Sequence, residues 1–221
     1  MSIRIAVLSL GFLLAAPCFA KEATIGQTSI ALTAPAGQCE LDRNQPSDAA
    51  RLEVTEKAVG GVGNRLLALY ADCKQLTDLR SGKRALMEDF AQYQASLATA
   101  DAPAPAVTAD ASKQLCNQQR EESEWGSVGL AEVVRGIKVD QLRLLGVVGE
   151  DTNACYAALV QRFKAKNGKD VTLVALFATT FVKGKLIYYY LYSPYRSAQT
   201  VSALLAKQKL NVAALLAANK Q

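Results

Sequence analysis

The sequence predicts an α+β protein in which an antiparallel sheet, ending in a C-terminal four-strand meander, is covered by helices. In the last third of the chain, apolar and β-branched runs are separated by tight-turn signals at Gly168 and Gly184, where a hairpin needs positive φ angles. After Pro194 the apolar residues change to helical spacing, which predicts a closing helix. Its apolar positions are Val201, Leu204, Leu205, Val212, Leu215 and Leu216.

The first half of the chain is expected to alternate short strands with helices. A polar–apolar alternation predicts a hairpin or first strand, and Ser47 is a suitable N-cap for a helix that ends at a glycine pair. The helical spacing of Leu86, Phe90 and Tyr93 favours a helix over 84–97, with a strand as the alternative. The other expected segments are the hairpin over 24–35, the helix over 47–61, a strand over 66–71 and a short helix over 74–80.

The second half is expected to hold two more helices before the meander, over 108–120 and 130–137. The closing helix follows its cap residue Ser197, and a bend with a restart at Asn211 is an alternative to one continuous helix. None of the apolar strands is long enough to cross a bilayer as a helix, so no transmembrane segment is expected in the mature chain. The meander strands are expected over 142–148, 156–164, 171–182 and 186–192.

The first twenty residues predict a signal peptide. Arg4 supplies the positive end, an apolar run follows, and Cys18 and Ala20 are small residues at the −3 and −1 positions of a cleavage site. Cleavage after Ala20 would deliver residues 21–221 to the periplasm. These residues are expected to form a single α+β domain with a Pro/Ala-rich surface linker at about 98–106, although the same linker would also suit a boundary between two domains.

The composition argues against several classes of function. The chain has 25 Lys and Arg against 20 Asp and Glu, and these charges are scattered, so no nucleic-acid partner is expected. The chain has no histidine, which excludes Ser-His-Asp and Cys-His catalysis and histidine-ligated metals. We therefore expect no cofactor, no metal site and no catalytic residue of these kinds.

Four cysteines follow the predicted cleavage site, at Cys39, Cys73, Cys116 and Cys155. An even count in an exported chain predicts two disulfides. The cysteines contain no C-x-x-C pair, which argues against zinc. Pairing of neighbours in sequence, Cys39 with Cys73 and Cys116 with Cys155, is favoured, and the other two connectivities stay open.

Two groups of side chains are candidates for a functional site. Tyrosines alternate on the last predicted strand, and together with the strand end they could contact a ligand, or they could lie under a covering helix as part of the core. Three glutamates near the single tryptophan could act as acid–base groups or hold a cation, or form the solvated end of a helix. The tyrosine group is Tyr188, Tyr190, Tyr192, Tyr195 and Arg196, and the glutamates are Glu121, Glu122 and Glu124.

The order of elements resembles that of the PsbP-like α+β folds. The resemblance rests on the strand end Ala34-Pro35-Ala36-Gly37, on the VKGKLIY stretch at 182–188 and on the helix over 197–219. The first cysteine pair and the VKGK hairpin are also similar to those of uncharacterised exported proteins of Gram-negative bacteria. The motifs cover roughly a third of the chain and are architectural, so the resemblance implies a binding or assembly role and transfers no site residue.

The leading expectation is therefore a non-catalytic periplasmic protein that binds or supports an envelope protein. The first alternative is a carrier of a small apolar or aromatic ligand, in which the tyrosine-rich strand face lines a pocket under the last helix. The second alternative is a hydrolase that uses Asp or Glu, with Glu121 and Glu124 as the carboxylates.

Overall fold

The computed structural model describes residues 21–100, 109–121, 134–165 and 168–220. The predicted signal peptide and most of the Pro/Ala linker lie outside these ranges. Within them, helices and antiparallel strands confirm the predicted α+β class.

Seven strands form one antiparallel sheet, in the order β3-β4-β5-β9-β8-β7-β6, and β1 and β2 form a separate hairpin. The strands from β6 to β9 each pair with the next one in the chain, while β9 pairs on its other side with β5. The sheet strands are β3 (Gln38–Glu40), β4 (Asn64–Asp72), β5 (Phe90–Ser96), β6 (Gln141–Glu150), β7 (Ala154–Lys164), β8 (Asp170–Val182) and β9 (Lys185–Pro194). The hairpin strands are β1 (Lys21–Ile25) and β2 (Thr28–Leu32).

The longer helices of the described chain are α1 (Pro46–Gly61), α2 (Cys73–Arg80), α3 (Ala109–Glu121) and α4 (Ala198–Ala218), and a short 3-10 turn covers Leu97–Thr99. Ser197 caps α4 through a capping box with Thr200, as the sequence predicts. The helix is continuous through Asn211, so the predicted bend is absent there. At the β8–β9 turn, Lys183 and Gly184 both have positive φ, of 47° and 75°, which suits a two-residue hairpin turn.

For the segment over 84–97, which the sequence left open between helix and strand, the structure shows a strand in its second half. Residues Phe90–Ser96 form β5, the strand at the junction between β4 and β9. Gln92 and Gln94 alternate with Ala91, Tyr93 and Ala95 in this strand, yet all five are buried. Because the side chains on both faces of this strand are buried among their neighbours, the usual contrast between polar and apolar residues is weak here, and the helical spacing does not indicate a helix.

The two faces of the sheet are covered differently. On one face, α4 and the β1–β2 hairpin pack over the main core, which includes Ile30, Tyr189, Leu191, Val212 and Leu215. On the other face, a smaller cluster joins α1 and α2 to β4. Its buried members are Leu41, Leu52, Leu69, Ala71 and Leu76.

Helix α4 is, by length and composition alone, apolar enough to cross a membrane. In the fold it instead contributes one face to the main core, with Leu204, Val212 and Leu215 buried. Lys207 and Lys209 are exposed on the two flanks of this buried stripe, and the Lys209 ammonium lies 5.5 Å from the centre of the Tyr156 ring.

The end of α4 is fixed to the β1–β2 hairpin by Asn219. Its side-chain amide accepts a hydrogen bond from the Ala31 N–H (2.9 Å) and donates to the Ala31 carbonyl (2.8 Å). It also donates to the Leu215 carbonyl at 2.8 Å. Asn219 is 8% exposed, so these bonds are shielded from water.

We expect Asn219→Ala to destabilise the protein by about 2 kcal/mol, because it leaves the backbone groups of Ala31 without partners. Urea unfolding followed by circular dichroism measures the change. Asn219→Asp is the matched control. This variant keeps an oxygen that accepts from the Ala31 N–H but places a carboxylate against the Ala31 and Leu215 carbonyls, so it should lose at least as much stability. A variant as stable as the wild type would show that the contact to Ala31 does not hold α4 in place.

Candidate functional site

The predicted tyrosines of β9 lie on the sheet face opposite α4. Along β9, Ile187, Tyr189 and Leu191 are buried in the main core, while Tyr188 and its two alternating neighbours are half-buried on the other side. Tyr188 and Tyr190 therefore do not lie under the last helix, whereas Tyr192 also lines a cavity beside that helix. The half-buried neighbours are Tyr190 and Tyr192.

Four aromatic rings from three strands stack side by side on this face. The ring centroids of Phe90 and Tyr192 are 4.1 Å apart at an interplanar angle of 8°. Those of Tyr192 and Tyr190 are 6.1 Å apart at 19°, and those of Tyr190 and Phe177 are 5.1 Å apart at 28°. We call this row the aromatic ladder. The side chains of a strand stand roughly perpendicular to the sheet. Because the faces of these rings are stacked on one another, their edges point away from the sheet.

Neutral polar side chains accompany the aromatic ladder. Gln92 and Gln94 of β5 are 5% and 4% exposed, and they lie opposite Tyr190 and Tyr188 in the β5–β9 register. The Gln92 amide donates to the Tyr192 hydroxyl at 2.8 Å. We call the ladder, Tyr188 and the two glutamines together the tyrosine face.

Burial keeps the phenols of the tyrosine face protonated. It raises the pKa of Tyr190 to about 12, with a smaller contribution from neighbouring Tyr188. Burial also raises the pKa of Tyr188 and that of Tyr192, in the second case against the hydrogen bond from Gln92. The tyrosine face is therefore an uncharged surface that offers hydroxyl groups and aromatic edges.

The tyrosine face lies between two regions that are covered by helices. On the β4 side, α1 and α2 cover Leu69 and Ala71, which are the register partners of Gln92 and Phe90. The Cys39–Cys73 disulfide joins β3 to the first residue of α2 on this side. This side of the face is consequently held by a covalent link.

On the β7 side, α3 packs against the sheet through a second disulfide, between Cys116 and Cys155. Next to it, Gln119 donates to the Thr179 hydroxyl at 2.9 Å. Cys155 pairs with Thr179, which in turn pairs with Tyr188 of the tyrosine face. Both disulfides have the connectivity that the sequence favoured, and each holds one side of the tyrosine face.

A cavity of about 460 Å³ opens at one end of the same sheet face. Phe163 of β7 and Val171 of β8 line it, and these two residues face each other in the sheet. Val171 lies four residues from the β8 residue that pairs with Tyr192, on the same face of the strand. Its volume is in the usual range of small-molecule sites. The remaining lining residues come from the loop before β5 and from the β7–β8 end; they include Leu86, Lys83, Lys164 and Lys169 and the Arg84–Glu88 ion pair.

Two of the predicted site residues lie elsewhere. Tyr195 packs against the main core, on the α4 side of the sheet. Arg196 is exposed and lines a second cavity, of about 290 Å³, together with Tyr192 and with Thr200 of α4. The structure thus brings together Tyr188, Tyr190 and Tyr192 on one sheet face, places Arg196 near Tyr192 alone, and separates Tyr195 from them.

Sequence reasoning missed the ladder members of the neighbouring strands, Phe90 and Phe177, and the glutamines of β5. The alternation of Gln92 and Gln94 with Ala91, Tyr93 and Ala95 was the available signal. It indicates a strand but does not show which strand lies next to it. That β5 pairs with β9 across almost a hundred residues follows from tertiary contacts alone.

The predicted carboxylate group lies outside the described part of the chain: this holds for Glu122 and Glu124 and for the side chain of Glu121. In the described residues, no three Cys, Asp or Glu side chains are grouped closely enough to hold a metal ion. The glycine-rich stretch at the C-terminal end of α1 forms the helix end and a turn, with the Gly63 N–H donating to the Gly60 carbonyl at 3.0 Å.

Comparison of the chain with protein-family models, with curated proteins and with solved structures found no match. The resemblance to PsbP-like folds accordingly stays a prediction, and function has to be inferred from the residues of the tyrosine face and its surroundings.

Proposed function

We propose that this is a non-catalytic binding protein of the periplasm, which holds an envelope protein against its tyrosine face. The observation that carries the proposal is the half-buried state of Tyr188, Tyr190 and Tyr192 in the middle of a wide sheet whose flanks are covered. Tyr189, one residue away, is fully buried under α4. Tyrosines that combine an apolar ring with a hydroxyl are enriched where proteins bind partners.

The chemistry of the tyrosine face supports binding over catalysis. Its polar groups are phenols and amides, and burial raises the pKa of the phenols away from neutrality. A general base should instead have a pKa near the working pH. The disulfides support an oxidising compartment such as the periplasm, and the PsbP-like resemblance points to the same class of function. We take α4 to be a core helix of the mature protein and not a membrane anchor.

The cavity beside the tyrosine face favours a second candidate, the carrier of a small apolar or aromatic ligand. Phe163, Val171 and Leu86 give this cavity an apolar lining, and lysines stand around it. Such a cavity suits an organic anion whose apolar body contacts these side chains, because the charged group can then pair with an ammonium.

Site-specific photo-crosslinking distinguishes the candidates. We expect p-benzoylphenylalanine in place of Tyr188 to capture one defined molecule in the cells that export the protein. An adduct that contains a second polypeptide supports the envelope-partner proposal, whereas a small mass increment in intact-protein mass spectrometry supports the carrier.

The matched control places the same photo-reactive residue at Leu210, which is 73% exposed on α4, on the opposite side of the sheet. The control should give no adduct. The proposal fails if both positions capture the same molecules, or if Tyr188 captures nothing and the protein purifies as an empty monomer.

A further inference from the structure

The two disulfides differ greatly in their access to solvent. Cys116 and Cys155 are only 1% and 0% exposed, and their disulfide lies between α3 and the sheet. Cys39 is exposed and Cys73 is half-buried. Thiol–disulfide exchange requires a thiolate to reach a sulfur atom, so the folded protein presents Cys39–Cys73 to an attacking thiol and shields the other pair.

The position of Cys39 in the sheet adds to this access. Among the strands of the described residues, β3 is at one edge of the sheet, pairs with β4 alone and has three residues. Cys39 is its middle residue and lies opposite Ala71. Cys39 therefore lies at a border of the sheet, on a strand with one side that no other described strand covers.

Cys73 is the better leaving group of the exposed pair. It is the first residue of α2, and the N-terminus of a helix stabilises a thiolate. The adjacent side chains act in opposite directions: the Asp72 carboxylate, which accepts from the Gln75 N–H at 2.9 Å, disfavours the thiolate, and the exposed ammonium of Lys74 favours it. An attack on Cys39 therefore expels the sulfur that the helix end can stabilise.

We propose that Cys39–Cys73 is a site of thiol–disulfide exchange with an exported dithiol protein, and that Cys116–Cys155 is a permanent crosslink. A thiolate of the dithiol protein attacks the Cys39 sulfur and forms a mixed disulfide, while Cys73 leaves as a thiolate and takes up a proton. The second thiol of the partner then attacks the partner's own sulfur in the mixed disulfide and releases Cys39 as a thiol. Two electrons pass from the dithiol to the disulfide.

Opening of this bond would act on the loop that lines the larger cavity. Helix α2, which Cys73 begins, holds that loop through Gln75: its side-chain oxygen accepts from the Glu88 and Asp89 N–H groups at 3.0 and 3.3 Å. Its amide nitrogen donates to the Asp89 carboxylate at 2.7 Å. The exchange itself is independent of what binds the tyrosine face.

The test is a time course of reduction on the folded mature protein. Dithiothreitol is added without denaturant, samples are alkylated at intervals, and the four cysteines are quantified by peptide mapping. We expect Cys39 and Cys73 to be labelled at least about tenfold faster than Cys116 and Cys155. Labelling of all four at one rate, faster labelling of the buried pair, or no labelling of Cys39 and Cys73 would overturn the proposal.

A trapping experiment identifies the attacked sulfur. A thioredoxin-type dithiol protein that lacks its resolving cysteine should accumulate as a mixed disulfide with Cys39. A mixed disulfide at Cys116 or Cys155, or none at all, would contradict the assignment. The double variant Cys39→Ser/Cys73→Ser is the control and should form no adduct; if it does not fold, the wild-type time course still decides.

Discussion

Arg80→Ala should destabilise the protein by about 3 kcal/mol at neutral pH, because it leaves the Asp48 carboxylate buried without its cation. Asp48 is 1% exposed, whereas Arg80 is 36% exposed. The guanidinium lies 2.6 Å and 3.1 Å from one carboxylate oxygen. The pair links α1 to α2, the two helices on the β4 side of the tyrosine face.

The pH dependence of stability provides a sharper test of this ion pair. Burial opposes ionisation of Asp48, but hydrogen bonds from Arg80 and from the Asp42 N–H more than compensate and lower its pKa below 3.8. The contribution of ionised Asp48 to the free energy of unfolding is thus complete above the pKa that Asp48 has in the unfolded chain. This contribution is lost as the pH falls through the lower pKa that Asp48 has in the folded protein. In Arg80→Ala burial acts without the cation, so the carboxyl resists ionisation and this variant loses stability as the pH rises.

Urea unfolding at neutral pH and below about pH 4 measures both effects. The difference between wild type and Arg80→Ala should shrink on acidification. Asp48→Asn is the matched control, because it keeps the shape of the side chain and leaves no buried charge; we expect a smaller loss at neutral pH, about 1–2 kcal/mol. The stability of this variant should itself lack the pH dependence that titration of Asp48 gives the wild type. An equal loss for Arg80→Ala at both pH values would rule out the ion pair as the cause.

Much of the fold could be predicted where a local signal agrees with the tertiary environment. The turn at Gly184 and the cap at Ser197 are examples, since the backbone angles and capping bonds they need depend on neighbouring residues. Strand β5 is the opposite case. One neighbour, β4, is the preceding strand, but the other, β9, lies about a hundred residues further along the chain. The buried glutamines of β5 satisfy hydrogen bonds that only the folded sheet supplies.

The candidate site could be predicted in part for the same reason. The alternation of Tyr188, Tyr190 and Tyr192 places them on one side of a strand, and this much follows from the sequence. Which side faces α4 does not follow, because both sides of β9 carry large apolar groups. Tyr189, on the other side, stacks on Tyr93 at 4.2 Å, so either set of rings would have suited the core.

Replacement of both Cys116 and Cys155 by alanine should have the largest effect on stability, a loss of about 4 kcal/mol. The disulfide closes a loop over a sequence separation of 39 residues, and loss of loop-closure entropy alone predicts this magnitude. The replacement also removes two buried sulfur atoms, and the cavity that they leave lowers the stability further.

The double variant should also loosen α3 more than the rest of the chain. Without the disulfide, the described contacts between α3 and the sheet include the Gln119–Thr179 hydrogen bond and the Arg120–Glu150 ion pair. The ion pair is about half exposed and contributes little. Hydrogen exchange in native buffer should therefore accelerate in α3 while α1 keeps its protection.

The matched control is Cys39→Ala/Cys73→Ala, whose disulfide closes a loop of similar length over a separation of 34 residues. Loop entropy predicts nearly equal losses for the two double variants, so the difference between them isolates burial and local contacts. We expect the Cys116/Cys155 variant to lose more stability and to lose protection in α3, and the control to lose protection in α2. If the two variants have equal stability and α3 stays protected in both, the buried disulfide does not hold α3 on the sheet, and that side of the tyrosine face is held by other contacts.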